Sequence, residues 1–178
     1  RAAIARPAGA ADAPVLVNGA FECWLGFRQQ AGIDGQVPSG WTAVLLDGYP
    51  RMNSTNFEFA NDCGDYGFEK IEGQDSMVFL SQDIETPPEP GKPFDAAIYQ
   101  QVAVTPGTAY SLSGWMLSLC GGSTTPNDCP EGYYMSKMPG IDPTGGTDPL
   151  ASTVVWVKDQ RNFTESRWVN LRVGATAQ

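Results

Sequence analysis

The residues able to do chemistry are unevenly represented in this sequence, which has no histidine, 20 acidic residues and four cysteines. Without histidine the chain cannot form a Ser-His-Asp or Cys-His catalytic group, or a histidine-ligated zinc site. It has no glycine-rich phosphate-binding motif either. A glycosidase needs only two carboxylates, so that alternative stays open, but the acidic residues show no enzyme signature. The sequence therefore predicts a protein that is not an enzyme.

The cysteines are Cys23, Cys63, Cys120 and Cys129, and none belongs to a C-x-x-C pair. Cys120 and Cys129 bracket a short polar loop, which favours a local disulfide between them and a longer-range disulfide between Cys23 and Cys63. Four buried free thiols are the alternative. Because disulfides persist in oxidising compartments, the favoured pairing predicts a secreted protein, extracellular or at the cell surface.

Charge narrows the range of partners. The chain of 178 residues has a net charge of -9, so a polyanion such as DNA or RNA would be repelled. No run of 18 apolar residues occurs, and we expect no membrane insertion.

The sequence begins at Arg1 without an apolar leader region, which is typical of a mature, processed form. Two N-x-S/T sequons, at Asn53 and Asn162, are compatible with glycosylation at the surface.

Exposed aromatic rings could stack on sugar rings, with neighbouring polar side chains binding the hydroxyl groups. The candidates are Trp24, Tyr49, Tyr66, Tyr133 and Tyr134. The remaining tryptophans fall in predicted strands and are expected in the core, because large aromatic residues dominate the cores of β-sandwiches. They are Trp41, Trp115, Trp156 and Trp168.

Short strands separated by turns must position these residues. Apolar and polar residues alternate with a period of two, and 20 glycines and 14 prolines punctuate the chain. The pattern predicts strands over 15–22, 41–46, 76–81, 133–141, 152–157 and 167–177, and a hairpin over 97–119 that turns at Thr105-Pro106-Gly107. Residues 1–14 are rich in alanine and form an arm, and residues 15–178 form one all-β domain, a sandwich or jelly roll.

Three groups of motifs resemble a known fold. They are Asn18-Gly-Ala-Phe-Glu22 followed by Pro38-Ser-Gly-Trp41, the segment from Gln100 to Trp115, and Gly140-Ile-Asp-Pro-Thr-Gly-Gly-Thr-Asp-Pro149 followed by Val154-Val-Trp156 and Trp168. Together they resemble the galactose-binding-like jelly rolls, which include carbohydrate-binding modules of secreted glycosidases and related bacterial surface-protein domains. The resemblance covers residues 15–177 and implies a jelly-roll β-sandwich.

The resemblance also implies a structural Ca²⁺ ion near the first strand, held in part by the glutamate of the opening motif. Glu22 matches that glutamate. The loop 61–75 offers further oxygen ligands of the kind that Ca²⁺ prefers, among them Asp62, Asp65 and Glu72. A solvated acidic loop without a metal is the alternative.

In the fold that the chain resembles, a further strand would follow the position of Gln178, so we expect a sandwich that lacks its last strand. An open edge of this kind invites strand addition. The arm could fill the groove of a second copy, using Ala3, Ile4, Ala5, Pro7, Ala8 and Ala10. Such a head-to-tail contact would propagate as a filament. The alternatives are an arm that folds back on its own domain and an arm that is only a linker.

These observations lead to one preferred function and two alternatives. The preferred function is that of an extracellular structural subunit that assembles with copies of itself by donor-strand exchange. The first alternative is a carbohydrate-binding module of a secreted or cell-surface protein. The second is an adhesion domain with a protein partner.

Overall fold

A computed structural model describes residues 14–54, 71, 73, 75–81, 92–118, 136–157 and 168–178. Within these ranges nearly all regular structure is β, as predicted, and the one exception is a 3-10 turn at Cys23–Leu25. The strands are β1 (Phe27–Arg28), β2 (Asp34–Gly35), β3 (Val37–Pro38), β4 (Thr42–Asp47), β5 (Arg51–Ser54), β6 (Met77–Leu80), β7 (Asp95–Tyr99), β8 (Ala109–Met116), β9 (Gly140–Ile141), β10 (Val155–Trp156) and β11 (Val169–Thr176).

The described strands pair into several small sheets, and most of the pairs are antiparallel. β4 pairs with β7, β8 with β11, β9 with β10 and β1 with β3. β5 lies between β6, which runs antiparallel to it, and β2, which runs parallel. The longest pair, β8 with β11, is in register over all eight residues of each strand, from Val169 opposite Met116 to Thr176 opposite Ala109.

The core forms where the β4–β7 pair meets the sheet that contains β5. Val37, Ala43 and Met52 are buried at its centre, and partly buried apolar side chains surround them. The surrounding residues are Ile33, Leu45, Met77, Phe79, Ala96 and Ile98. Met52 is fully buried, and burial of such a side chain contributes about 1.5–3 kcal/mol.

Alternation of apolar residues located several strands correctly. The strands predicted over 41–46, 76–81 and 167–177 correspond to β4, β6 and β11. Met77 and Phe79, two positions apart on β6, both pack against the core. The strands predicted over 133–141 and 152–157 are confirmed only at β9 and β10, and residues 133–135 lie outside the described ranges.

The strand predicted over 15–22 is wrong, because this segment is a turn built around Asn18. The side chain of Asn18 accepts a hydrogen bond from the backbone N–H of Glu22 at 2.8 Å and donates to the carbonyls of Glu22 and Gly26. Asn18 and Phe21 both have positive φ, which lies outside the β region for residues other than glycine. The asparagine side chain thus replaces the partners that a neighbouring strand would have supplied.

The hairpin predicted over 97–119 is also wrong, although both of its strands exist. β7 pairs with β4 and β8 pairs with β11, not with each other. Between them the side chain of Gln100 bonds to Val17 and Gly40, and that of Gln101 donates to the carbonyl of Gly145 at 2.7 Å. Residues 100–105, which connect β7 to β8, belong to no strand.

Candidate functional site

The β8–β11 ribbon has two chemically distinct faces. Its inward side carries Tyr110, Leu112 and Met116 from β8, and the buried Leu171 and Val173 from β11. The opposite side, here called the outer face, consists of Ala109, Ser111, Ser113, Trp115, Asn170, Arg172, Gly174 and Thr176, all of which are exposed. The strict alternation follows from the pleat of two strands that are paired without a bulge.

Trp115 is the only aromatic residue of the outer face, and 49% of its surface is exposed. The expectation that it lies in the core is therefore wrong. Its neighbours on β8 at positions 114 and 116 point inward, so the pleat turns the indole outward. Directly opposite it on β11 lies Asn170, which places an amide within reach of the indole.

Arg172 is the only charged residue of the outer face, where it lies opposite Ser113. Within the described part of the chain its guanidinium makes no hydrogen bond, ion pair or aromatic contact. Arg28, in contrast, donates from Nη2 to the carbonyl of Trp41 at 2.6 Å. Arg172 therefore presents its donors to the solvent.

This arrangement suits a flat, hydroxyl-rich ligand. One face of a pyranose ring consists of C–H groups, which pack on the electron-rich face of an indole. Residues directly opposite each other have Cβ atoms about 4.5–5.5 Å apart, and diagonal neighbours lie about 7–8 Å apart. A ring stacked on Trp115 would therefore have the amide of Asn170 and the side chain of Arg172 at its edges. Ser111, Ser113 and Gly174 leave the adjoining surface flat and polar.

A second tryptophan expected in the core, Trp156, is also partly exposed, at 39%. It lies opposite Gly140 in the β9–β10 pair. A Cβ atom added to Gly140 would lie 2.5–2.8 Å from three atoms of the indole, so the ring rests directly against the glycine backbone. Trp41 is buried, as predicted, and donates from Nε1 to the carbonyl of Val17 at 2.9 Å. Trp168 is half-buried.

The aromatic residues predicted to stack on sugars are only partly described. Trp24 is 54% exposed in the 3-10 turn, and Tyr49 is 76% exposed beside a small cavity of about 150 Å³. Lys92, Pro93 and Phe94 line the same cavity. Tyr66, Tyr133 and Tyr134 lie outside the described residues, as do residues 1–13, which include every arm residue assigned to assembly.

Sequence reasoning missed the polar half of the outer face. Asn170, Arg172 and Ser113 were not singled out, and Trp115 was assigned to the core. The alternation of β11 contained a usable signal, because Asn170 and Arg172 fall on one side and Leu171 and Val173 on the other. Only the pairing with β8 shows that this polar side is shared with Trp115.

Two buried carboxylates lie behind the Asn18 turn. Glu22 is 4% exposed and Asp75 is 2% exposed. The carboxylate of Asp75 accepts a hydrogen bond from the backbone N–H of Cys23 at 3.1 Å and faces the hydroxyl of Ser54 at 3.4 Å. The carboxylate of Glu22 lies against the backbone of Gly73, where any side chain would overlap it.

The donor atoms at this place suit a hard cation. Burying a carboxylate is unfavourable unless positive charge or hydrogen-bond donors compensate its charge, and Ca²⁺ takes oxygen ligands of this kind. The described residues contain no group of three acidic, cysteine or histidine side chains placed to hold a metal. Asp62, Asp65 and Glu72, the other predicted ligands, lie outside the described residues.

Cys23 is disulfide-bonded, so it is not a free thiol. Its partner is not among the described residues, because Cys63, Cys120 and Cys129 all lie outside them. The pairing of Cys23 with Cys63 stays a prediction, as does the local disulfide between Cys120 and Cys129.

The sequon at Asn53 is not at the surface. Asn53 lies in β5, between β2 and β6, and only 8% of it is exposed. Its Oδ1 accepts a hydrogen bond from the backbone N–H of Ser54 at 3.0 Å. A glycan on this amide would have to displace the core of the sheet, which argues against the predicted glycosylation. Asn162 lies outside the described residues.

Asp142 organises the turn that follows β9. Its carboxylate accepts hydrogen bonds from the hydroxyl and the backbone N–H of Thr144, at 2.7 and 2.9 Å, and from the hydroxyl of Thr153 at 3.1 Å. The bonds from Thr144 are the main reason that the pKa of Asp142 lies below its usual value. The carboxylate of Asp142 thus stabilises the turn through these hydrogen bonds, and its role is structural.

Comparison with known proteins finds no matching family model, no matching curated protein and no matching solved structure. Over the ranges that the structure describes, no helix has the length and apolar character needed to cross a lipid bilayer. The outer face of the β8–β11 ribbon therefore has to be interpreted from its own chemistry.

Proposed function

We propose that this protein is a carbohydrate-binding module of a secreted or cell-surface protein, and that it binds sugar on the outer face of the β8–β11 ribbon. The proposal rests on one observation above all, the half-exposed indole of Trp115 between polar side chains. An aromatic ring held by a regular strand loses little conformational entropy on binding, so stacking on it is an efficient source of affinity.

The other features of the site support binding without catalysis. The ring of Trp115 would provide the contact area, and Asn170 and Ser113 would provide hydrogen bonds to hydroxyl groups. None of the eight described residues of the outer face is acidic, so this face itself offers no carboxylate to act on a glycosidic bond. The resemblance of the motifs to galactose-binding-like jelly rolls agrees with this function, and we propose the jelly roll as the complete fold.

The experiment that tests the function is binding of the purified protein to an array of immobilised glycans, followed by calorimetry with the best ligands. Wild-type protein and Trp24→Ala should bind the same glycans with similar affinity, because Trp24 is exposed elsewhere, in the 3-10 turn. Absence of binding to every glycan, or loss of binding in Trp24→Ala, would contradict a site on the outer face.

Calcium is proposed in a structural role only, beside Glu22 and Asp75. If an ion binds the folded protein at these carboxylates, its removal withdraws the binding free energy and lowers stability. We expect a chelator to lower the melting temperature of the wild-type protein by several degrees, and to have a much smaller effect on Glu22→Gln. Equal melting temperatures in Ca²⁺ and in chelator would contradict the calcium proposal and leave the sugar site unaffected.

Assembly into a filament through residues 1–14 stays a prediction, since residues 1–13 are not described and no observed contact tests it. Electron microscopy of the full chain and of a chain that lacks residues 1–14 would decide. Donor-strand exchange requires regular fibres that only the full chain forms. Monomers in both samples, with unchanged glycan binding, would leave the binding module as the whole function.

A further inference from the structure

The charge of the outer face is opposite in sign to that of the chain. The protein has a net charge of -9, but the only charged residue among the eight of this face is Arg172. The electrostatic potential at this face is therefore locally positive, and a neutral sugar carries no charge that this potential would attract. At physiological ionic strength charges interact over about 8 Å, so a ligand on this face senses Arg172 more strongly than distant acidic residues.

The guanidinium of Arg172 is also available to bind a ligand. It makes no hydrogen bond or ion pair within the described part of the chain, and no cation–π contact with Trp115. Burying or pairing a guanidinium usually marks a structural arginine, as with Arg28 and the carbonyl of Trp41. Arg172 instead stands in the solvent on a strand whose backbone is fixed by eight paired residues.

The register places this cation at one edge of the stacking surface. Arg172 is the diagonal neighbour of Trp115, because Trp115 lies opposite Asn170 and Ser113 lies opposite Arg172. Diagonal neighbours are about 7–8 Å apart at Cβ, a distance that a long arginine side chain can span. A substituent at the edge of a pyranose stacked on Trp115 would therefore meet the guanidinium.

A planar guanidinium forms two parallel charge-assisted hydrogen bonds with a carboxylate, the acidic group that sugars carry without further modification. In a uronic acid such a carboxylate lies at the edge of the pyranose ring, on C5. We propose that the sugar bound by the outer face is a uronic acid whose carboxylate pairs with Arg172 while its ring stacks on Trp115. This inference rests on the proposed function of the same face.

The test compares four polymers and four proteins by calorimetry. The polymers are polygalacturonate and polymannuronate, each as the free acid and as the methyl ester, which removes the charge and keeps the ring. The proteins are the wild type, Arg172→Gln, Trp115→Ala and Arg51→Gln. Arg51 is an exposed arginine on β5, so its substitution changes the net charge by the same amount at another sheet.

We expect the wild type to bind at least one free acid about tenfold more tightly than its ester, which is the scale of one charge-assisted contact. Arg172→Gln should bind acid and ester alike, at the affinity of the wild type for the ester. Arg51→Gln should keep the wild-type preference, and Trp115→Ala should bind both forms about 10- to 100-fold more weakly than the wild type. Unchanged circular dichroism would show that the variants are folded.

Three results would overturn the inference. Equal wild-type affinity for acid and ester, with binding weakened in Trp115→Ala, would reject the uronic acid and retain the sugar site. If Arg51→Gln and Arg172→Gln lose the preference for the free acid to the same extent, the preference comes from the overall charge of the protein and not from Arg172. Wild-type affinity in Trp115→Ala would instead reject the proposed function itself.

Discussion

Trp115→Ala is expected to weaken glycan binding roughly 10- to 100-fold, because the indole provides the apolar contact area of the site and burial of such a side chain contributes about 1.5–3 kcal/mol. The same substitution should cost little stability. Half of the Trp115 surface is already exposed, so we expect a loss of about 1 kcal/mol, or about 2–4 °C in melting temperature. Affinity from calorimetry and the melting temperature of the same samples provide both quantities.

The matched control for this prediction is Trp24→Ala. Both residues are tryptophans with about half of their surface exposed, but Trp24 lies in the 3-10 turn and Trp115 on the ribbon. Both variants lose a half-exposed indole, so a difference in affinity between them reports the position of the indole. Equal affinity in Trp115→Ala and the wild type would contradict the site, as would a larger loss in Trp24→Ala.

The second large effect concerns the folding of the core sheet. Gly35→Ala is expected to destabilise the protein by about 3–5 kcal/mol. Gly35 has a φ of 93°, and a Cβ atom at this position would overlap the backbone carbonyl of Met52. That carbonyl accepts a hydrogen bond from the N–H of Gln36 at 2.7 Å. Met52 is fully buried, so the obstacle cannot move without disturbing β5 and the core.

Gly32 offers a matched control in the preceding turn. Its φ of 81° is similar, but no atom lies within 4 Å of the position that a Cβ would take. Gly32→Ala should therefore cost only the left-handed backbone term, about 1–2 kcal/mol. Urea unfolding of the two variants separates the backbone term from the steric overlap. Equal losses in both variants would contradict the close approach of β2 to β5.

The local pattern of residues was enough to locate β4, β6 and β11, because alternation within one strand reflects its own two faces. The pairing of the strands could not be predicted in this way. β8 pairs with β11, more than fifty positions away, and nothing within either strand specifies its partner. The turn at Thr105-Pro106-Gly107 was real, and Thr108 donates to the carbonyl of Thr105 at 3.2 Å, but the turn does not join a hairpin.

The candidate site depends on the same missing information. β8 has apolar residues on both faces, with Leu112 and Met116 on one and Trp115 on the other. Its sequence alone therefore cannot tell which face is buried. The burial of Asn53 could not be predicted from the sequence either, because a polar residue in a short strand is ordinarily assigned to the surface. Both positions are explained by the neighbouring strands.

The central claim, that the outer face binds sugar, is tested most directly by nuclear magnetic resonance. Each of the five tryptophan indole N–H groups gives its own signal, and single substitutions assign them. During titration with the glycan selected from the array, the signal of Trp115 and the side-chain amide of Asn170 should shift together, while Trp24 and the buried Trp41 stay unchanged. Shifts confined to Trp24, or to residues around Tyr49, would contradict the account and move the binding site away from the β8–β11 ribbon.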